Sequence, residues 1–470
     1  MITGKTLIDW GYQAGSWFPG AIEAARRAQA EGADDAAVRA VVASLVPPPA
    51  LPLRAGGEMP LHFNIEAATP DEVENVAAVE RHMRALMCVP TLVAGAIMPD
   101  ACPSGAALGT IPVGGVVAAK EAIHPGMHSA DICCSMAVTV FADAAEPKAM
   151  LDAGMRLSHF GGGGRPEADR IAPPAGLLER FAANRFLKNG LHDAATHFAT
   201  QGDGNHFFYV GRVASSGRLA LVTHHGSRKP GASLYKAGMA TAEKFRQKLS
   251  PATPAHNAWI PSETVEGEAY WAALQLVRDW TKASHFAIHD RIVAALGSRI
   301  EDRFWNEHNF VFRKSDGLFY HAKGATPAFA DFSGDTNGLT LIPLNMAQPI
   351  LIARGKDAPH GLGFAPHGAG RNLSRTGHLK RLAGRSEAQV LAEETEGLDV
   401  RFFSGVPDLS ELPSAYKDAS AVRDQIERFG LAHVVDTIEP LGSIMAGNWQ
   451  SDPPWKRAKA AKEQDASRRV

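Results

Sequence analysis

Between Leu92 and Val140 the apolar residues come in short runs that Gly and Pro keep interrupting. Short apolar runs bounded by turn formers are too brief for a helix and suit a buried strand. Ile111 to Ala118 and Met136 to Phe141 are therefore expected as buried strands, joined by a Gly/Pro-rich connection. Leu219 to Thr223 reads as another strand, Phe310 to Ile352 as a second strand-and-loop region, and Gly161 to Gly164 as a flexible loop. Helical texture lies elsewhere, at Ala21 to Ala30, Asp34 to Val46 and, longest, Glu266 to Leu296. Strands and long helices in no simple alternation predict an α+β fold.

The run Pro47-Pro48-Pro49 stops the N-terminal helices and makes a stiff spacer. Residues 1–57 are expected as a helical extension, 58–450 as one large catalytic domain, and 451–470 as a loose tail. Lys456, Arg457, Lys459, Lys462, Arg468 and Arg469 make that tail basic, a solvated terminus or a grip on RNA phosphates. A further helix should open at Thr69, with Pro70 in its first turn and Glu72 completing a capping box. Val73, Val76, Met83 and Met87 would then share its buried face.

A formal charge of −2 gives no overall field for a polyanion, so such a partner needs a local patch or a metal. No apolar stretch nears the roughly 20 residues that span a bilayer, and no secretory signal opens the chain. All four cysteines fall between Cys88 and Cys134, which suits reduced thiols in a cytoplasmic protein. Gly4-Lys5-Thr6 lacks the upstream glycine and strand of a phosphate loop, and no Gly-x-Gly-x-x-Gly follows a strand. The 45 glycines point to places where backbone must approach something closely.

Candidate ligands are dispersed. Asp131 and Cys134 stand three apart before a buried strand, as a ligand pair or as a structural carboxylate with a core cysteine. His206 follows the Gly204-Asn205 turn, His224 and His225 end a strand before Gly226-Ser227-Arg228, and His308 precedes Asn309. Singly each is an ordinary histidine; together, at strand ends and glycine turns, they could hold one or two transition-metal ions, Zn²⁺ as readily as Mn²⁺. His256-Asn257 repeats the dipeptide of His308-Asn309 in Pro- and Ala-rich surroundings that suit a plain loop. The densest polar loop runs from Pro366 to Arg375. Gly368 and Gly370 admit an anion to backbone amides, Arg371 and Arg375 can neutralise phosphate, and His367 is placed as a nucleophile; the alternative is a glycine turn with solvated arginines.

In this order the motifs resemble the RtcB family of GTP-dependent RNA ligases. They comprise Met98-Pro99-Asp100, Ile111-Pro112-Val113-Gly114-Gly115, Asp131/Cys134, Gly204-Asn205-His206-Phe207, His224–Arg228, His308-Asn309, Lys323-Gly324-Ala325-Thr326, His367–Arg371 and Ala415-Tyr416-Lys417-Asp418. The resemblance implies mixed sheets around a metal-binding cleft and two Mn²⁺ ions held by Asp131, Cys134, His206, His224 and His308, with Cys134 shared. It also implies His367 as the guanylylated nucleophile, with Asn205, Asn309, Pro343, Asn345, Met346, Gly368, Ala369 and Gly370 on the nucleotide, and Arg228, Lys323 and Arg371 on RNA or phosphate. The implied reaction joins an RNA 3′-phosphate, or a 2′,3′-cyclic phosphate opened first, to a 5′-hydroxyl, using GTP. An accessory activating protein is left open.

The chain departs from that pattern where the family's nucleotide pocket lies. Tyr209 stands in place of a glutamate, Leu344-Asn345 in place of Gly-Ser, Ile350 in place of a serine, Met445 in place of a lysine, and Cys102 in place of a histidine. Altered nucleotide choice is one implication. A metal phosphoesterase that acts on RNA termini without GTP, and a non-catalytic RNA-end-binding relative, are the alternative functions.

Overall fold

The computed structural model describes residues 2–449 apart from 16, 48, 68, 144, 330, 331 and 333–337, so the basic tail lies outside the described residues. Met1–Pro52 with Lys248–Pro251 form a small compact unit, and the remainder of the described chain forms a large one.

The small unit is helical, with Gly4–Asp9, Phe18–Ala30 and Asp35–Ser44 closing over Leu7, Ala21, Ala25, Val38 and Val42. Thr3 and Thr6 form a reciprocal capping box, so Gly4-Lys5-Thr6 is the first turn of a helix. Asp34 caps the third helix by accepting from the Ala37 amide at 2.8 Å.

Two mixed sheets dominate the large unit. One has eight strands, in the order Leu339–Ile342, Ile350–Gly355, Ala432–Met445, Phe207–Val213, Leu219–His225, Ser135–Phe141, Ile300–Glu307; these pair antiparallel, and Asp399–Phe402 adds to Ala432–Met445 in parallel. The other has five strands, in the order Leu61–Phe63, Leu92–Cys102, Val113–Ala119, Phe319–Lys323, Asn309–Arg313. The expected strands at 111–118, 136–141 and 219–223 form with ends shifted by one or two residues. Val265–Ala295 is the long helix, and it lies against the larger sheet through His285 and His289.

Helix Pro70–Leu86 starts where Thr69 predicts, but the Thr69 side chain makes no capping bond. Its buried face keeps the expected Met83, with Met87 buried just past its end, but differs elsewhere. Glu72, Asn75, Val79, Met83 and Leu86 point inward while Val73 is 59% exposed. The polar members face in because they hold a loop: Asn75 donates to the Arg371 carbonyl at 3.2 Å, and Asn372 donates to Glu72 at 3.2 Å. Among the described residues no helix is long and apolar enough to cross a membrane.

Candidate active site

The turn from Asp131 to Cys134 closes with the Cys134 amide donating to the Asp131 carbonyl at 3.2 Å, and Cys133 sits in the left-handed region at φ 60°. A branched route to that conformation is costly for a non-glycine residue and persists only where surroundings enforce it. Here they do. The Cys133 amide donates to the Asn309 carbonyl at 2.7 Å and the His308 amide to the Cys134 carbonyl at 2.9 Å, which threads the turn onto the 308–309 segment. Gly226 completes the fit, because a Cβ there would stand 2.1 Å from Asp131 Oδ1.

The five expected ligands meet. Cys134 Sγ lies 3.4 Å from His206 Nε2 and 3.2 Å from His224 Nε2, His206 Nε2 lies 3.1 Å from Asp131 Oδ2, and His224 Nε2 lies 3.2 Å from His308 Nε2. His224 donates through Nδ1 to the Asn205 carbonyl at 3.0 Å, so its Nε2 carries the lone pair. That lone pair faces a sulfur and a second imidazole nitrogen, an arrangement satisfied by a cation bonded to all three. The donor set thus fits transition-metal ions. It separates into Asp131, Cys134 and His206 on one side and Cys134, His224 and His308 on the other, with the sulfur common to both.

Electrostatics agree with that fit. Burial pushes His224 down to about 3 and His308 well below the usual imidazole range, so both stay neutral ligands. Burial works to raise the Asp131 carboxyl, but the His206 and Cys134 hydrogen bonds and the His206 and Arg228 charges outweigh it and hold it at about 2. Burial and the Asp131 charge push the Cys134 thiol well up, so a cation is needed to make it a thiolate.

His367 stands beside this cluster, its ring centroid 4.9 Å from that of His308. Its Nδ1 donates to Asp100 Oδ2 at 2.6 Å and its amide to the same oxygen at 3.2 Å. The loop can come this close because residue 370 is glycine at φ 73°, where a Cβ would meet the Asp100 carbonyl at 1.9 Å. With Nδ1 occupied, Nε2 is the nitrogen left with a free lone pair.

A cavity opens from His367 and His224. Of the expected nucleotide residues, Asn205, Pro343, Asn345, Met346, Gly368, Ala369 and Gly370 line it, and so does Arg371. Asn309 is outside the lining; its Oδ1 accepts from the Gly324 amide at 2.7 Å and braces the turn beside His367. Lys323 is outside it too, donating to Ser104 Oγ at 2.7 Å and the Ile111 carbonyl at 3.2 Å, with burial lowering its ammonium to about 8. Arg228 is half-buried and outside the lining, bonded to Thr200 Oγ1 at 3.2 Å and to the Gly161 carbonyl.

Arg371 is partly buried and Arg375 exposed, and neither charge is unpaired. Both pair with buried Glu411, at 3.4 and 2.5 Å, and the Tyr416 hydroxyl donates to the same carboxylate. Sequence reasoning missed Glu411, and it quoted Asp100 within a motif without giving it a role. His256-Asn257 is a short 3-10 turn whose Asn257 carbonyl accepts from buried His124, in keeping with a structural dipeptide.

The family described as "tRNA-splicing ligase RtcB" matches residues 138–446. A relative from Aeropyrum pernix named tRNA-splicing ligase RtcB is 27% identical over 337 residues, covering 62% of this chain and 68% of the relative. One from Archaeoglobus fulgidus with the same name is 28% identical, covering 57% of this chain and 63% of its own length. The RNA-splicing ligase RtcB of Escherichia coli K12 is 25% identical, covering 66% and 81%. With that match across most of its length, its mixed sheets and its Cys/His cluster, the chain belongs to the RtcB family of RNA-splicing ligases.

Proposed function

We propose that this protein ligates RNA ends through a nucleotidyl group carried on His367. The observation that carries the reading is the pairing of His367 Nδ1 with Asp100 at one end of the cavity, next to the five-ligand cluster. Asp100 fixes the tautomer, and Nε2 attacks the α-phosphorus of a nucleoside triphosphate, for which the family resemblance implies GTP. An Nε2–P bond forms and the bond to pyrophosphate breaks, with pyrophosphate leaving on its electron pair. The imidazole keeps its Nδ1 proton and becomes cationic against Asp100. The nucleotidyl group then passes to an RNA 3′-phosphate, which frees His367, and a 5′-hydroxyl displaces the mononucleotide to seal the strand. A 2′,3′-cyclic end is first opened by water.

Asp131, Cys134, His206, His224 and His308 are the residues that hold divalent metal in this reading, two Mn²⁺ ions by the resemblance. When bound, such a pair neutralises phosphate charge and stabilises the leaving pyrophosphate. It also supplies the local positive charge that a chain with a net charge of −2 lacks. Incubation with Mn²⁺ and α-labelled GTP should give an acid-labile adduct that is lost in His367→Ala. Failure to form an adduct with any nucleoside triphosphate refutes the ligase reading.

A further inference from the structure

Strand alternation turns His224 and its two neighbours to opposite faces of the larger sheet. His224 meets Cys134, whereas Thr223 and His225 meet helix Val265–Ala295 through His285. Ser135 pairs with His225 across the ladder, so it faces the helix as well. The ladder between Ser135–Phe141 and Leu219–His225 ends at that pair, and Cys134 stands just beyond it. Cys134 and His224, 3.2 Å apart, are thus ligands placed where main-chain pairing runs out.

The buried side chains behind them form one chain of hydrogen bonds in which every proton has a place. The His225 carbonyl can only accept, and Ser135 Oγ donates to it at 3.2 Å. His285 Nε2 lies 3.3 Å from the same carbonyl, so it carries the ring hydrogen and donates to Ser135 Oγ at 3.0 Å. His285 Nδ1 therefore accepts from Thr223 Oγ1 at 2.7 Å. With its proton spent there, Thr223 accepts from His289 Nε2 at 2.8 Å, and His289 Nδ1 accepts from Thr139 Oγ1 at 2.7 Å. All five side chains are wholly buried. Burial pushes His285 well below the usual imidazole range and His289 down to about 3, so both rings keep these neutral tautomers.

His285 is the member that ties the two strand ends together. Its nitrogens hold Ser135, the residue after Cys134, and Thr223, the residue before His224. Two turns earlier on the same helix, Arg278 pairs with buried Glu307, the residue before His308. One helix thus backs a neighbour of each of Cys134, His224 and His308, the three that make one side of the cluster. His289 differs. Its second contact is Thr139, well along the strand from Cys134.

We infer that His285 is a positioning residue for the metal cluster, setting Cys134 against His224 from the far face of the sheet. The inference rests on the reading that these side chains hold metal, and it gives that reading a support on the opposite side of the strands.

The test uses the full chain loaded with Co²⁺ alone, reading affinity by competition titration and the thiolate-to-cobalt absorption band. His285→Phe keeps a ring and removes both hydrogen bonds. It is expected to bind Co²⁺ about 10- to 100-fold more weakly with a shifted band, the range for partners that orient metal ligands. His289→Phe, which disturbs the same helix contact one step farther on, is expected to lose stability in chemical denaturation while keeping its affinity within threefold and its band unshifted. A folded His285→Phe that binds within threefold and with an unchanged band overturns the inference. An equal loss of affinity in His289→Phe overturns it too, since the effect is then one of helix packing. Where His285→Phe does not fold, Ser135→Ala decides: weakening beyond threefold upholds the contact, and a smaller change overturns it. A thiolate band missing from the unaltered protein overturns the inference together with the metal reading, whereas a band insensitive to His285 leaves that reading standing.

Discussion

Asp100→Asn removes one negative charge from beside His367, the proposed nucleophile, and little else. The carboxylate is wholly buried, its Oδ2 lies 2.6 Å from His367 Nδ1, and Lys417 Nζ clamps the carbonyls on either side, Pro99 at 3.1 Å and Ala101 at 2.8 Å. Asparagine has the same shape and can still accept from Nδ1 through its amide oxygen. What it cannot do is balance the charge that appears on the imidazole as Nε2 bonds to phosphorus. Two unit charges about 4 Å apart at an effective dielectric near 20 interact by about 4 kcal/mol. A half-developed charge in the transition state therefore loses about 2 kcal/mol, roughly 30-fold in rate, and a fully developed one roughly 1,000-fold. The assay is single-turnover adduct formation at saturating nucleotide. The expected result is a rate lowered by roughly 30- to 1,000-fold, with nucleotide affinity changed less than about threefold, because the charge appears only during reaction. An Asp100→Asn rate within threefold of the unaltered protein refutes the charge argument.

Gly226→Ala forces a Cβ to within 2.1 Å of Asp131 Oδ1, so the variant should fold yet bind at least tenfold less Mn²⁺ by equilibrium dialysis. His224→Ala and His225→Ala should separate two roles carried by adjacent residues. The first loses metal, whereas the second, whose ring stacks on His285 with centroids 3.5 Å apart, loses about 2–4 kcal/mol in chemical denaturation with metal content retained. Acid should destabilise the fold through His124 and His128, which burial lowers to about 4. Their unfolded pKa is near 6.5, so their contribution is complete above that pH and is lost as pH falls from 6.5 towards 4. Each forfeits about 1.4 kcal/mol per pH unit there, about 3 kcal/mol for the pair at pH 5.5, and an unchanged melting temperature between pH 7.5 and 5.5 contradicts their neutral burial.

Apolar content made the central strands and the long helix legible, since Ser135–Phe141, Leu219–His225 and Val265–Ala295 bury continuous hydrophobic surface. Polar contacts across long separations were not legible. Asp100 and His367 are 267 positions apart, and nothing local to Met98-Pro99-Asp100 says which side chain it will meet. Glu411 offered no signal either, because a carboxylate in the Asp408–Glu411 turn looks solvated until Arg371 and Arg375 fold onto it. The helix at Pro70–Leu86 misled for a related reason: its inward polar residues answer to the loop after His367, and periodicity of apolar residues cannot register that. The dipeptide His224-His225 lies between these cases. Strand alternation sends its members to opposite faces, His224 to Cys134 and His225 to His285, but only the fold says which face holds the cluster.

The same alternation explains how the cluster and the cavity wall can vary separately in this architecture. Residues of the cluster sit at strand ends and turns: Asp131 and Cys134 before Ser135–Phe141, His206 before Phe207–Val213, His308 after Ile300–Glu307. Their geometry is enforced by backbone bonds between those ends, such as His308 to Cys134 and Cys133 to Asn309, and by Gly226. The far wall of the cavity comes instead from strand interiors, Tyr209, Ser443, Ile350 and Met445, whose side chains reach the cavity while their backbones stay in the ladder. A substitution at one of those positions changes the cavity wall without moving a residue of the cluster, because the ladder bonds belong to the main chain. Tyr209 shows the principle: it fills its place with a ring and donates its hydroxyl to the Ile438 carbonyl at 2.8 Å, while His206, three residues earlier, keeps its place beside Cys134 and Asp131.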